Sequence, residues 1–272
     1  MEQAAPIQVP KRLGRNEEDM MVELSSAVES RRIAMLIDGD NAQPTLIEKM
    51  LTEAGKCGLV TIRRIYGDWT TENMKGWKET LHVHAIQPIQ QFRYTTGKNA
   101  TDSAMIIDAM DILYGGMVNG FCLVSSDSDY TRLATRIREK GIFVMGIGRK
   151  STPRAFVNAC DLFIYAENLL AEVDIPRPKA TKPPKKARAA EPVLPELLPL
   201  LKSAFEMAVQ DDGWAFLGTI GSRLRQLDPG FDPRTYGSKQ LSLLIRTYSD
   251  AFEVKEVKSQ DGPSLIYVKL RD

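Results

Sequence analysis

Several segments of the sequence carry acidic side chains at the ends of short apolar runs. Residues 33–37 are apolar and have the length and bulk of a buried strand, and the chain then changes abruptly to Asp38, Gly39, Asp40 and Asn41. Three later segments supply further acids: Asp102, Asp127 with Asp129, and Asp161. In open α/β sheets the carboxyl edge is where ligands bind. We therefore expect these acids to gather along one edge of a sheet.

Three or four carboxylates in one pocket repel one another, so without a cation at least one of them would hold a proton. A bound Mg²⁺ or Mn²⁺ removes that cost, and oxygen ligands are the ones these ions prefer. A divalent ion at a sheet edge suits phosphoryl chemistry. We predict that Asp38, Asp102, Asp127 and Asp129 share such a site.

Other roles for single acids stay open at this point. Asp102 falls at a predicted helix start, where aspartate serves equally well as a cap. Asp40 can face solvent, and Asp68 suits a loop better than a metal site. Asp108 and Asp111 lie on a predicted helix and are expected to be solvated.

The composition excludes several other kinds of site. The only histidines are His82 and His84, and the three cysteines are scattered, so neither a zinc site nor a Ser/His/Asp triad is expected. The pair of glycines at 146 and 148 is a weak signal for a phosphate loop. No signal peptide or membrane span is predicted, and the unpaired cysteine pattern suits a reducing cytoplasm. The formal net charge is +1, so any argument for nucleic acid depends on charge distribution.

Apolar runs and helical patterns alternate over residues 31–172, which predicts an α/β domain with a mainly parallel sheet covered on both faces. Predicted strands are 33–37, 59–66, 83–89, 121–124, 142–147 and 162–165. Predicted helices are 44–51, 73–81, 130–140, 153–159 and one that starts at Thr101 or Asp102 and ends at Gly115.

The regions outside that domain differ in composition. Residues 1–30 contain a tail and an amphipathic helix, which packs on the domain or on a second subunit of a homodimer. Residues 173–192 are a stiff linker rich in proline and cations, either a soluble spacer or a tether for phosphate backbones. The pattern of residues 193–272 predicts three helices followed by a β-hairpin around a turn at 259–262. This is the arrangement of an α+β winged helix.

The order and spacing of the acidic segments resemble the NYN domain, a PIN-like nuclease family. The residues that carry the resemblance are 37–41, Lys98 with Asp102, and 125–129. The resemblance implies a Rossmann-like sheet and an acidic metal site that cuts RNA. It also implies that Asp38, Asp102, Asp127 and Asp129 bind Mg²⁺ or Mn²⁺, with Asn41, Ser125 and Asp161 as supporting groups.

The C-terminal region resembles the OST-HTH domain, also called LOTUS, at residues 213–218, 231–237 and 252–254. This resemblance implies binding of RNA or of a protein partner. Within the first domain, Tyr94 can stack on a base of single-stranded RNA, and Arg93 and Lys98 can meet its phosphates.

Three functions compete at this stage. The leading one is a metal-dependent endoribonuclease with a C-terminal domain that holds RNA or a partner. A haloacid-dehalogenase-like phosphatase would use Asp38 as its nucleophile and Asp40 as its acid, but Ala42 stands two positions beyond Asp40, where that motif has threonine. A non-catalytic RNA-binding adaptor would retain the acids without activity.

Overall fold

In a computed structural model of the chain, residues 31–92, 100–170, 196–257 and 264–271 are described. The predicted tail and helix within 1–30 and the predicted linker at 173–192 lie outside the described residues. So do Arg93, Tyr94 and Lys98. The predicted domain boundaries, the homodimer and the RNA-binding role of these three side chains therefore stay predictions.

Six parallel strands form the first sheet, in the order β3-β2-β1-β4-β5-β6. The strands are β1 (Arg32–Asp38), β2 (Leu59–Gly67), β3 (Gln87–Gln90), β4 (Gly120–Val124), β5 (Phe143–Gly148) and β6 (Leu162–Tyr165). The connections run to one side from β1 and to the other side from β4. This topological switch point opens a crevice at the carboxyl ends of those two strands, which confirms the predicted Rossmann-like α/β fold.

Helices cover both faces of this sheet. They are α1 (Ile47–Gly55), α2 (Lys78–Val83), α3 (Ala100–Tyr114), α4 (Thr131–Glu139), α5 (Arg154–Ala159) and α6 (Ala166–Leu170), with 3₁₀ turns at Pro44–Leu46, Glu72–Trp77 and Ser128–Tyr130. Apolar side chains of α3, α4 and α5 pack on one face, and those of α1, α2 and α6 pack on the other. Side chains alternate along β1, so Leu36 joins the α3 face and Ile37 the opposite one. By the same alternation, Asp38 belongs on the α3 side.

The predicted third strand, 83–89, is wrong in its first half. Helix α2 continues to Val83, which is exposed, and a turn follows in which Ala85 has a φ of 51°. The Ile86 N–H donates to the Leu81 carbonyl at 2.9 Å and the Ala85 N–H donates to the His82 carbonyl at 3.4 Å, the bonds of a Schellman helix end. The strand can begin only after this turn, at Gln87.

The C-terminal region has the three helices and the β-hairpin that were predicted for a winged helix, and a short strand between the first two helices that was not predicted. Its elements are α7 (Leu197–Glu206), β7 (Ala215–Phe216), α8 (Leu217–Leu227), a 3₁₀ turn (Pro233–Tyr236), α9 (Leu241–Arg246), β8 (Phe252–Val257) and β9 (Leu265–Leu270). The antiparallel sheet has the order β7-β9-β8. Its core is separate from those of the first sheet and includes Leu201, Ile220, Leu244 and Val268.

The segment 228–236, between α8 and α9, lies against the edge strand β6. The Phe163 N–H donates to the Pro229 carbonyl at 2.7 Å, and Asn168 Nδ2 donates to Thr235 Oγ1 at 2.8 Å. A Cβ at Gly230 would lie 2.8 Å from the Tyr165 hydroxyl, so only glycine permits this close approach. The winged helix is thereby held on one edge of the first sheet.

Two ion pairs also connect the C-terminal region to the first domain. Arg154 Nη2 lies 3.1 Å from Asp228 Oδ1, and Arg234 Nη1 lies 2.7 Å from Glu53 Oε1. Arg234 also contacts Asp232 at 2.8 Å, and all three acids are buried. A charge buried at such a contact is tolerated only while its partner is present, so these pairs fix the relative position of the two sheets.

Within the described residues, no helix has both the length and the apolar character needed to cross a membrane. The cytoplasmic location stays a prediction.

Candidate active site

Three aspartates meet at the carboxyl end of the first sheet. Asp102, Asp127 and Asp129 each offer a carboxylate oxygen, and these oxygens lie within 4.8 Å of one another. Asp102 and Asp127 are partly buried and Asp129 is exposed. Asp102 comes from the start of α3, and Asp127 and Asp129 come from the segment after β4, so the tertiary structure brings them together. We call them the acidic cluster.

The local sequence explains how each acid reaches the cluster. Asp102 lies in the first turn of α3, where the helix dipole favours a negative charge. Asp127 precedes the 3₁₀ turn Ser128–Tyr130, and its carboxylate accepts a hydrogen bond from the Asp129 N–H at 2.9 Å. This cap fixes the turn after β4 and presents two acids that are separated by a single residue, Ser128.

Asp38 ends β1 beside the cluster and is 1 % exposed. Its Oδ2 accepts from Asn41 Nδ2 at 2.7 Å and from Ser125 Oγ at 2.9 Å, and its Oδ1 accepts from the Asp40 N–H at 3.1 Å. Ser125 Oγ also accepts from the Asp127 N–H at 3.1 Å. A single hydroxyl therefore links the end of β1 to the turn after β4, which is the role expected of a supporting group.

Burial and like charge act together on these carboxylates. Burial raises the pKa of Asp38, and the charge of Asp102 raises it further, while the hydrogen bonds from Asn41 and Ser125 oppose the shift. Burial also raises the pKa of Asp102, with added repulsion from Asp127, Asp129 and Asp40. The ionised form of these carboxylates is thus unfavourable without a positive partner.

Tyr130 is a site residue that the sequence reasoning missed. Its hydroxyl donates to Asp102 Oδ1 at 2.8 Å, and the side chain is fully buried. Burial raises the pKa of this phenol, and the charges of Asp38 and Asp102 add to the shift, so it remains a neutral donor. Its position directly after Asp129 was the available signal.

Replacing Tyr130 with phenylalanine is expected to weaken Mn²⁺ binding about 10- to 100-fold, because Asp102 loses the donor that orients it. Calorimetric titration with Mn²⁺ measures this change. Tyr114→Phe is the matched control, since Tyr114 is exposed on α3 and its hydroxyl accepts a hydrogen bond from Arg136, away from the acidic cluster. Equal Mn²⁺ affinity in the two variants would remove Tyr130 from the site.

Asp161, predicted as a supporting acid, lies elsewhere. Its Oδ2 accepts from the Val144 N–H at 2.8 Å and its Oδ1 pairs with Arg138 Nε at 3.2 Å. Val144 is near the start of β5, so Asp161 lies toward the amino edge of the sheet, opposite the acidic cluster. Asp161 precedes its strand, β6, whereas Asp38 ends its strand, β1. The two acids therefore lie at opposite edges of the sheet, although both lie next to apolar runs in the sequence.

Two other acids have structural contacts. Asp68 is buried and accepts hydrogen bonds from Thr70 Oγ1 and Gln90 Nε2, which agrees with a loop role. Asp108, expected to be solvated, instead accepts from Arg64 and from the Tyr66 hydroxyl. The prediction for Asp108 was wrong because β2 brings both partners against this side of α3.

The donor set of the acidic cluster fits a hard divalent cation. All three groups are carboxylates, and the only histidines in the chain, at 82 and 84, belong to α2 and the turn that follows it. Mg²⁺ and Mn²⁺ prefer oxygen ligands of this kind. Asp102, Asp127 and Asp129 would hold the ion. A carboxylate has roughly four positions that can accept a hydrogen bond or a cation. Three of those of Asp38 accept hydrogen bonds, and the remaining one is on Oδ1.

A shallow depression lies on the other side of Asp38. Its walls come from the carboxyl ends of β1, β4 and β5 and include Asn41 and Ser125, the two side chains that hold Asp38. The lining residues are Asn41, Ala42, Gln43, Leu46, Met50, Val124, Ser125, Ser126, Ile147, Gly148, Arg149 and Ala166.

The fold and the acidic cluster define a Rossmann-like α/β domain with a carboxylate site at its switch point, joined to a winged helix. The family model of the NYN domain matches residues 32–170, and the chain belongs to that family. The model of the OST-HTH/LOTUS domain matches residues 191–262. NYN domains are nucleases and OST-HTH/LOTUS domains bind RNA, so the chain joins a nuclease-type domain to an RNA-binding one.

Similar solved structures include a protein of unknown function from Vibrio parahaemolyticus, at 19 % identity and a TM-score of 0.41, covering 49 % of this chain and 91 % of that one. An uncharacterized protein from Nitrosomonas europaea is 31 % identical with a TM-score of 0.26, covering 35 % of this chain and 91 % of that one. No curated protein matches the chain.

Proposed function

We propose that the protein is an Mg²⁺- or Mn²⁺-dependent endoribonuclease that hydrolyses phosphodiester bonds of single-stranded RNA at the acidic cluster. The observation that supports this most is the approach of Asp102, Asp127 and Asp129 to within 4.8 Å at the switch point of an NYN domain. A cation bound there would neutralise the phosphate and lower the pKa of a water molecule.

The chain's own residues prepare the site. Tyr130 fixes one oxygen of Asp102, and the Asp127 cap fixes the turn that carries Asp129. Asp38 adds negative charge beside the cluster, and Asn41 and Ser125 hold its orientation. These contacts order the carboxylates, which supports a site that is preorganised for a cation and a phosphate.

The winged helix supplies a second RNA contact in this proposal. It is held on the β6 edge by the segment 228–236, so RNA that touches both domains would meet two surfaces in fixed relation. Binding by Arg93, Tyr94 and Lys98 belongs to the same proposal. A protein partner on the C-terminal domain is the alternative use of that surface.

The buried state of Asp38 argues against the phosphatase alternative. A nucleophilic carboxylate needs in-line access to phosphorus, whereas Asp38 is 1 % exposed and both of its oxygens accept hydrogen bonds. These contacts support a proposal in which Asp38 is not a nucleophile.

Removing divalent metal is expected to abolish cleavage of RNA by the full-length protein. The measurement is the decay of a labelled single-stranded RNA with Mn²⁺, with EDTA, and with Mn²⁺ restored in excess. Decay that is equally fast in EDTA would contradict a metal-dependent nuclease. Tight RNA binding without decay in any metal would identify an adaptor, and phosphate release from small phosphoesters alone would identify a phosphatase.

A further inference from the structure

We propose that the outward face of α3 is the docking site of the N-terminal amphipathic helix predicted within residues 1–30, and that this helix comes from the same chain. The inference goes beyond the proposed function and does not depend on it. Three features support it: the composition of α3, the place where the described part of the chain begins, and the charges beside the exposed face.

Helix α3 is apolar on two opposite faces. Met105, Ala109 and Ile112 are buried against the sheet. A helix with one face in the core and the other in water normally carries polar side chains on the second face. The second face of α3 is instead mostly apolar, and we call it the apolar stripe; its members are Ile106, Ile107, Met110, Leu113 and Tyr114.

The apolar stripe is open to solvent. Ile107 is 63 % exposed and Tyr114 is 61 % exposed, while Met117, in the turn after α3, is 52 % exposed. Ile107, Met110 and Tyr114 are three and four residues apart, so their side chains adjoin one another along one side of the helix. A contiguous apolar surface of this kind marks a contact site.

The described part of the chain begins beside the C-terminal end of α3. The Asn119 N–H donates to the Arg32 carbonyl at 3.0 Å, and the Arg32 N–H donates to Asn119 Oδ1 at 2.6 Å. Asn119 follows Met117 by two residues. A helix over residues 17–28 is joined to Arg32 by residues 29–31, which span at most ~14 Å. The N-terminal segment is therefore tethered next to the apolar stripe.

The tethered segment has a matching pattern and length. Its apolar residues, at 20, 21, 24, 27 and 28, recur at helical spacing. A helix over 17–28 would be ~18 Å long, and the stripe from Ile107 to Tyr114 is ~10 Å long. The other segments outside the described residues lack this pattern: 93–99 and 258–263 are short and polar, and 171–195 is rich in proline and cations.

Charge favours this segment over a second copy of α3. Residues 17–30 contain five acids and neither lysine nor arginine. Beside the stripe, Arg136 Nη2 donates to the Tyr114 hydroxyl at 3.1 Å and Lys140 Nζ lies 5.4 Å from the centre of the Tyr114 ring. An acidic helix on the stripe would lie next to these exposed cations. In a two-fold pairing of α3 with a second copy, the same cations would approach one another.

The test measures amide hydrogen exchange over residues 20–28 in the full-length protein. Slow exchange is expected, because an isolated helix of this length is marginal in water and only docking would protect it. Ile107→Glu should speed exchange over 20–28 at least about tenfold, since it replaces an apolar contact with a charge of the same sign as the segment. Val83→Glu is the matched control, because Val83 is 75 % exposed and lies on α2, across the sheet.

A second variant acts from the other side of the contact. Leu24→Glu should give the same acceleration, and its combination with Ile107→Glu should add little, because both remove one contact. Rapid exchange over 20–28 in wild type, or equal protection in Ile107→Glu and Val83→Glu, would remove the helix from α3. Sedimentation of the same samples identifies the source of the helix. A monomer with protected residues 20–28 supports docking within one chain, whereas protection that is lost when a dimer is diluted to monomers would overturn it and assign the stripe to a second copy.

Discussion

Asp102→Asn is expected to lower the rate of RNA cleavage by at least about 100-fold, because the acidic cluster loses one of its three anionic ligands. The substitution keeps the shape of the side chain, and asparagine is also accepted at a helix start. The loss should therefore come from the charge and not from unfolding of α3. The measurement is the initial rate of decay of labelled RNA in Mn²⁺.

Asp111→Asn is the control for this variant, because Asp111 lies on the same helix and is exposed. A second readout does not depend on activity. Mn²⁺ should raise the melting temperature of wild type and of Asp111→Asn, but much less that of Asp102→Asn, since an ion that binds only the folded state stabilises it. Without metal, Asp102→Asn should be the more stable protein, because one of the repelling charges is gone. Undiminished cleavage by Asp102→Asn would refute the assignment of the site.

Arg234→Ala is expected to destabilise the protein by about 3–5 kcal/mol, the cost of removing one partner of a buried ion pair. The Arg234 side chain is 18 % exposed, and it leaves behind the carboxylates of Glu53 and Asp232, at 9 % and 8 %. Because Glu53 belongs to α1, the variant also loses a contact between the two sheets. Denaturant unfolding, followed separately in the two domains, should show two transitions in place of one.

Arg246→Ala is the control, since its contact with Glu256 is 3.9 Å long and both side chains are about half exposed. Such a surface pair should change stability by less than about 0.5 kcal/mol. The double variant Arg234→Ala/Glu53→Gln should recover part of the loss, because it no longer buries a Glu53 charge that would be paired with the exposed Lys56, at 3.1 Å, but no longer with Arg234. If Arg234→Ala unfolds like Arg246→Ala, the interface does not couple the domains.

The local pattern carried enough information for most of the elements that build the site. β1 was predicted because five consecutive apolar residues are followed directly by acids. β6, β8 and β9 were predicted with the observed bounds. The pairing of Asp127 with Asp129 followed from their spacing in a turn. Where propensity and tertiary packing agree in this way, sequence alone suffices.

The failures share a physical reason. Val83 has a strand-forming side chain, but the Schellman end of α2 takes the backbone of residues 84–86 out of the sheet. Asp161 resembles the other acids in sequence, and only the direction of β6 places it at the opposite edge. Tyr130 was missed because its hydroxyl partner, Asp102, is 28 residues away in the sequence.

By itself the sequence determined the alternation of strands and helices, the acids at strand and helix ends, and the winged helix, because each depends on neighbouring residues. Only the tertiary structure decided which acids meet, which tyrosine orients them, and how the two domains are joined. Arg234 and Glu53 are 181 residues apart, and no local preference links them. Their contact exists because two separately packed cores bring these surfaces together.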